Sequence, residues 1–123
     1  MAVENIRVAV VDDEELVRTG IVSILNRVEG IEVIAEGVCG EDAINVWRTN
    51  DIDVVLMYIK MPGIGGYAAV RTLSKINSDV KILVVSVYSD DMYPTRLLQA
   101  GAKGYITKAS SKSDMVRAIR TIH

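Results

Sequence analysis

Residues 53–66 read DVVLMYIKMPGIGG, and the first half of that stretch decides the fold. DVVLMYI (53–59) reads as a strand, apolar without alternation from Val54 to Ile59. A strand of this kind is buried on both faces, as strands of a parallel sheet are. Pro62, Gly63, Gly65 and Gly66 then break the run, so 60–66 reads as a loop. Tyr58 stands where the strand should end and the loop begin. Open parallel sheets bind ligands at the carboxyl ends of their strands, so this tyrosine falls on the edge where chemistry is expected.

Outward from this strand the same alternation recurs. IRVAVV (6–11) is a short β-branched run and reads as a buried strand. Val17, Ile21, Ile24, Leu25 and Val28 then form one apolar helix face, and Gly30 is expected to end that helix. IEVIAE (31–36) alternates as a strand nearer an edge, and GEDAINVW (40–47) reads as a helix with Ala43, Ile44 and Trp47 inward. YAAVRTLSKI (67–76) is a third helix and KILVVSV (81–87) a fourth strand. Pro94 suits the first turn of a fourth helix and Gly101 its C-terminal cap. GYIT (104–107) is a fifth short strand. The last helix, 111–122, opens on a capping-box-like pair, Ser111 and Asp114. Five strand–helix units with short connections imply an α/β fold, a parallel sheet with helices on both faces.

Composition narrows the function classes. The 123 residues suit one domain, with half of them hydrophobic and 24% charged. One cysteine, Cys39, rules out an intrachain disulfide and fits a reducing, cytoplasmic setting. No apolar run approaches a membrane span, and the N-terminus has no signal-like apolar segment. The net charge of −2 hides an asymmetry: residues 1–50 carry ten acids and four bases, residues 51–123 six acids and ten bases. The basic density is far below that of a nucleic-acid binder; a surface for an acidic partner and solvated helix faces both fit it, the second better.

The strand ends carry a constellation. Asp12 and Asp13 follow strand 1, Tyr58 ends strand 3, Ser86 lies at the end of strand 4, and Lys108 follows strand 5. Adjacent carboxylates repel, and a hard divalent cation such as Mg2+ or a nearby lysine relieves the repulsion. The competing explanation of DDEE (12–15) is helix capping. Singly, Ser86 reads as a satisfied hydroxyl and Lys108 as a surface lysine. Together they suit phosphoryl chemistry, with acids for metal and a hydroxyl and an ammonium for phosphate oxygens. No GxxxxGK phosphate loop is present, the lone histidine, His123, sits at the terminus, and Cys39 lies apart near the second helix.

VAVVDDEELVRTGI (8–21), DVVLMYIKMPGIGG (53–66) and TRLLQAGAKGYITK (95–108) resemble the receiver domain of bacterial two-component response regulators, over essentially the whole chain. They are most similar to the branch whose receivers precede a LuxR-type helix-turn-helix domain (the NarL/FixJ branch), and within it to regulators of the GacA/UvrY type. The resemblance implies a flavodoxin-like doubly wound (βα)5 fold with strand order 2-1-3-4-5. It implies that 1–123 is one receiver domain followed by a DNA-binding output domain, which alone would touch DNA. Implied partners are a sensor histidine kinase, that output domain and a second receiver in a homodimer; no membrane is implied. Carried over by position, Asp12, Asp13 and the Lys60 backbone carbonyl would hold Mg2+. Ser86 would be the hydroxyl switch, Tyr105 the aromatic switch and Lys108 the phosphate-contacting lysine.

The phosphoacceptor position is Tyr58, where the family has aspartate. A phenol is neutral at pH 7 and cannot form an acyl phosphate. The expectation is a receiver that a histidine kinase cannot phosphorylate, with cation binding weakened by the loss of one carboxylate. Alternatives are a receiver switched by packing, a protein-interaction module, or a tyrosine phosphoacceptor, for which no base is present. A phosphatase of the haloacid dehalogenase type would need a DxD spacing, whereas Asp12 and Asp13 are adjacent. A flavodoxin-like cofactor carrier would need a hydroxyl- and glycine-rich loop where DDEEL stands. The chain is not expected to be an enzyme.

Overall fold

The computed structural model describes residues 5–58, 65–86, 92–107 and 111–123. Strands and helices alternate: β1 (Ile6–Val11), α1 (Glu15–Asn26), β2 (Ile31–Gly37), α2 (Gly40–Thr49), β3 (Val54–Tyr58), α3 (Gly65–Ile76), β4 (Lys81–Ser86), α4 (Met92–Ala100), β5 (Gly104–Thr107) and α5 (Lys112–Ile122). The strands form one parallel sheet in the order β2-β1-β3-β4-β5. This is the expected doubly wound order, and it makes β2 and β5 the edges.

The unalternating run of β3 has a direct cause: all five of its residues are buried, because helices cover both faces. Val54, Leu56 and Tyr58 face a layer holding Ile21 and Leu25 of α1 and Ile119 of α5. Val55 and Met57 face the other layer, with Ala43 of α2, Val70 and Leu73 of α3 and Leu97 of α4. Removing a side chain such as Leu56 from this core would cost about 2–5 kcal/mol.

Helix ends account for most of the local sequence signals. Gly101 has φ +124° after the last turn of α4. The Gly101 and Ala102 amides bond to the Leu98 and Leu97 carbonyls at 3.1 and 3.0 Å, closing the helix as a Schellman motif. Ser111 accepts the Asp114 amide at 3.1 Å, and Asp114 accepts the Ser111 amide in return, so the capping box is present. Pro94 falls in the first turn of α4.

The structure differs from the sequence reading in details. Gly30 does not end α1, which stops at Asn26; the Arg27 and Val28 amides close it through tight bonds to Ile24 and Leu25. Gly30, with φ +87°, instead turns the chain into β2. Ile24 is 37% exposed, not inward. It lies about 60° around the helix from Ile21, at the margin of an apolar stripe about 100° wide. α3 begins at Gly65 and α2 continues to Thr49, each two residues beyond the expected bounds. β3 spans 54–58 rather than 53–59, and residue 59 lies outside the described residues. The edge strand β2 carries a register shift: Val8 pairs with Val33 but Ala9 with Ala35, which leaves Ile34 as the extra residue of a bulge.

Candidate functional site

Strand register assembles the site. Val11 pairs with Met57, so Asp12 and Tyr58 are successive positions at the carboxyl ends of adjacent strands. Tyr58 pairs with Val85, which places Ser86 one residue further along β4. Ser86 pairs with Thr107, and Lys108 follows directly in sequence. Lys60 and Lys108 lie outside the described residues, as does the Ser86 side chain.

Asp12 is 1% exposed. Its amide donates to the Gly37 carbonyl at 3.0 Å, joining the ends of β1 and β2. Its Oδ1 accepts the Glu14 amide at 3.1 Å, an Asx-type turn that shapes the exit from β1. Its carbonyl accepts from Arg18 Nη1 at 2.8 Å. Asp13 and Glu14 are exposed. One carboxylate oxygen from each of Asp12, Asp13 and Glu14 falls within 4.8 Å of the others.

This arrangement answers the capping alternative. The N-cap residue of α1 is Glu14, and it makes no side-chain capping bond. Asp12 bonds the N-cap amide itself rather than an amide inside the helix. The three carboxylates lie close together at the entry to the helix, and Glu14 does not cap it through its side chain. Such a group of oxygens suits a hard, hydrated divalent cation: the buried Asp12 gives a fixed ligand, and the exposed Asp13 and Glu14 leave room for water.

Tyr58 is 5% exposed and belongs to the α1/α5-side core with Leu56 and Val85. Its phenol is held well above the ordinary tyrosine range, first by burial, then by the negative charges of Asp12 and Glu14. Those two acids thus act on the end of β3, and Tyr58 is neutral at physiological pH.

Tyr105 is half-buried and packs against the opposite layer, which holds Val84 and Leu97. Among the described residues Asp13 thus comes together with Asp12 and Glu14, Asp12 and Glu14 act on Tyr58, and Tyr105 lies on the far side of the sheet. Cys39 is the N-cap residue of α2 and makes no capping bond there. His123 lies 4.0 Å from Asp53, at the opposite end of β3 from Tyr58. Two contributors were missed from sequence. Glu14 was read as part of a capping run, although DDEE already offered it as a third carboxylate. Arg18 carries no local signal, because its partners are set by the fold.

The response regulator receiver domain family matches residues 8–120. The chain is 50% identical over 117 residues to response regulator GacA of Pseudomonas aeruginosa, covering 95% of this chain and 55% of that protein. It is 47% identical over 118 residues to response regulator UvrY of Escherichia coli K12, covering 96% of this chain and 54% of that protein. The chain therefore spans about half the length of these curated relatives. A two-component response regulator of the LuxR family from Aurantimonas superposes with a TM-score of 0.92 at 31% identity, over 97% of this chain and 85% of that one. The receiver domain of a NarL response regulator from Mycobacterium tuberculosis superposes with a TM-score of 0.91 at 28% identity, over 96% of this chain and 95% of that one.

Proposed function

The chain belongs to the response regulator receiver domain family, and from that membership we propose that it is a receiver whose phosphoacceptor position is filled by Tyr58. A histidine kinase then cannot phosphorylate it. The observation that carries this is the neutral, buried phenol at the carboxyl end of β3, beside Asp12 and Glu14. An aspartate there would offer a carboxylate nucleophile. A neutral phenol does not, and it cannot form an acyl phosphate.

The remaining positions keep the roles that the family gives them. Asp12 and Asp13, with the Lys60 carbonyl, form the Mg2+ site. Its occupancy is weakened because Tyr58 supplies neither a charge nor a carboxylate oxygen. When bound, the cation would offset charge on phosphoryl oxygens. Ser86 and Lys108 are the phosphate-contacting hydroxyl and ammonium, and Tyr105 is the aromatic that changes packing between two states. Residues 1–123 act as one regulatory domain in the cytoplasm. In the whole protein a LuxR-type DNA-binding domain follows and regulates transcription. A sensor histidine kinase is the upstream partner, and a second receiver is a candidate for pairing.

A second reading is a receiver held in one state by packing. It is favoured by one observation, the inclusion of the Tyr58 ring in the core. Phosphotransfer separates the possibilities. The chain is incubated with a phosphorylated sensor kinase of the GacA/UvrY-partner type and Mg2+. No label is expected on the native chain, and Mg2+-dependent label on Tyr58→Asp. Label on the native chain that disappears in Tyr58→Phe would overturn the proposal.

A further inference from the structure

Arg18 leaves α1 and reaches back to the carboxyl edge of the sheet. Its Nη1 donates to the Asp12 carbonyl at 2.8 Å and its Nε to Glu36 Oε1 at 3.1 Å. Its side chain is only 14% exposed, against 47% for Glu36. One guanidinium thus fastens the end of β1 to the end of β2, and it holds the residue whose carboxylate is the most buried of the acidic group. The Asp12 amide is fastened to the same strand end through Gly37. Asp12 is therefore pinned on both sides of its peptide, and its side chain then sets the Glu14 amide.

We propose that Arg18 is a positioning residue for the acidic group: by clamping the Asp12 carbonyl against Glu36 it holds the Asp12, Asp13 and Glu14 carboxylates in the spacing that binds a divalent cation. The proposal rests on reading that group as a cation site. A cation beside an acidic cluster ordinarily competes with metal, and that expectation gives the proposal a sign to test. Glu36 balances the Arg18 charge, so the pair adds no net charge to the site. Arg18→Met leaves Glu36 uncompensated and makes the neighbourhood more negative. By Coulomb attraction alone, cation binding would tighten. If Arg18 positions the ligands, binding weakens even though the charge has become more favourable. Glu36→Gln reverses both arguments. It removes a negative charge but keeps an oxygen to accept from Arg18 Nε, so the clamp persists.

The probe is terbium, an oxygen-seeking trivalent ion whose luminescence the neighbouring Tyr58 sensitises, displaced by Mg2+ to give the Mg2+ affinity. Measurements are made on the native chain, Arg18→Met, Arg18→Lys and Glu36→Gln at about 0.15 M salt, where distant charges are screened. Loss of an outer partner commonly weakens metal binding by about tenfold or more. Arg18→Met is expected to lose about tenfold in Mg2+ affinity. Arg18→Lys, which keeps the charge but not the two-armed geometry, is expected to fall between it and the native chain. Glu36→Gln is expected to stay within about threefold of native by the same reasoning. Amide exchange at Glu14 should speed up in Arg18→Met while the core amides of β3 keep their protection. That pattern separates a loosened turn from a loosened fold. Equal or tighter binding by Arg18→Met overturns the positioning role alone. Absence of site-specific binding in every variant, the native chain included, overturns the cation reading and this proposal with it.

Discussion

The two ends of the sheet carry similar residues in opposite arrangements. At the amino-terminal edge, Asp53 Oδ2 accepts the Arg7 amide at 2.9 Å, Arg7 Nε donates to the Asp51 carbonyl at 2.6 Å, and His123 lies 4.0 Å from Asp53. Asn5, Arg7, Glu32, Asp51 and Asp53 line a polar cleft of about 310 Å³. Asp53 accepts the Arg7 amide and Asp51 Oδ2 lies 4.0 Å from Arg7 Nε, and the result is a strand end tied to its neighbours. At the carboxyl edge, Asp12, Asp13 and Glu14 crowd together, and among the described residues Arg18 bonds the Asp12 carbonyl and Glu36. The difference teaches where to look for function. Asp53 ties a strand end to its neighbour, whereas Asp12, Asp13 and Glu14 concentrate negative charge at the edge where parallel sheets place their chemistry.

Substitutions at each edge test that contrast. The largest effect is expected from Tyr58→Asp. It places another carboxylate beside Asp12 in a position that is 5% exposed, and it removes an aromatic ring from the α1/α5-side core. In the absence of divalent cations the variant should lose about 3 kcal/mol in urea unfolding, the scale of an uncompensated buried charge or a lost core aromatic. Millimolar Mg2+ should restore part of that loss, and should stabilise the native chain less. Equal Mg2+ effects on the two proteins would break the contrast.

Gly101→Ala comes next. Its φ of +124° disfavours any side chain, and an added Cβ would collide with the Ser74 side chain. A loss of about 2 kcal/mol is expected, with terbium binding at the distant carboxyl edge unchanged. Asp53→Ala removes the acceptor for the Arg7 amide and should cost about 1 kcal/mol, again without effect on cation binding. A change in terbium affinity from either variant would show that the edges are not independent.

Much of this was legible before any coordinates. The β3 run announced two covered faces because unalternating apolar residues have no solvent-facing partner. The Ser111–Asp114 pair and Gly101 gave their helix ends because capping depends on neighbours a few residues apart. The convergence of Asp12 and Tyr58 followed from parallel topology. What stayed hidden depends on contacts distant in sequence. The partners of Arg18 include Glu36, eighteen residues away, and Arg7 meets Asp53 across 46 residues. Helical periodicity places Arg18 on a face but does not name what it touches. Ile24 was misjudged for a related reason: the period marks an apolar stripe, but the sheet decides how much of that stripe is covered.

The smallest effect is expected from Tyr58→Phe, and it sharpens the contrast most finely. The ring stays and only the hydroxyl goes, so stability at pH 7 should change by no more than about 1 kcal/mol. The difference emerges in alkali. Burial, then Asp12 and Glu14, raise the Tyr58 phenol above its unfolded value of about 10. Below pH 10 the phenol is protonated in both folded and unfolded chains and contributes no pH dependence. As pH rises past 10, the unfolded chain releases this proton and the folded chain does not, so native stability falls. The Phe variant lacks that term and should lose stability less steeply over the same range. A spectrophotometric titration reads the same group directly. The chain has five tyrosines, and the Tyr58 share of the tyrosinate absorbance should appear only with alkaline unfolding. If native minus Tyr58→Phe instead shows a tyrosinate step near pH 10 while the chain is folded, the phenol is not shielded at the acidic edge. The charge-gathering account of that edge then fails.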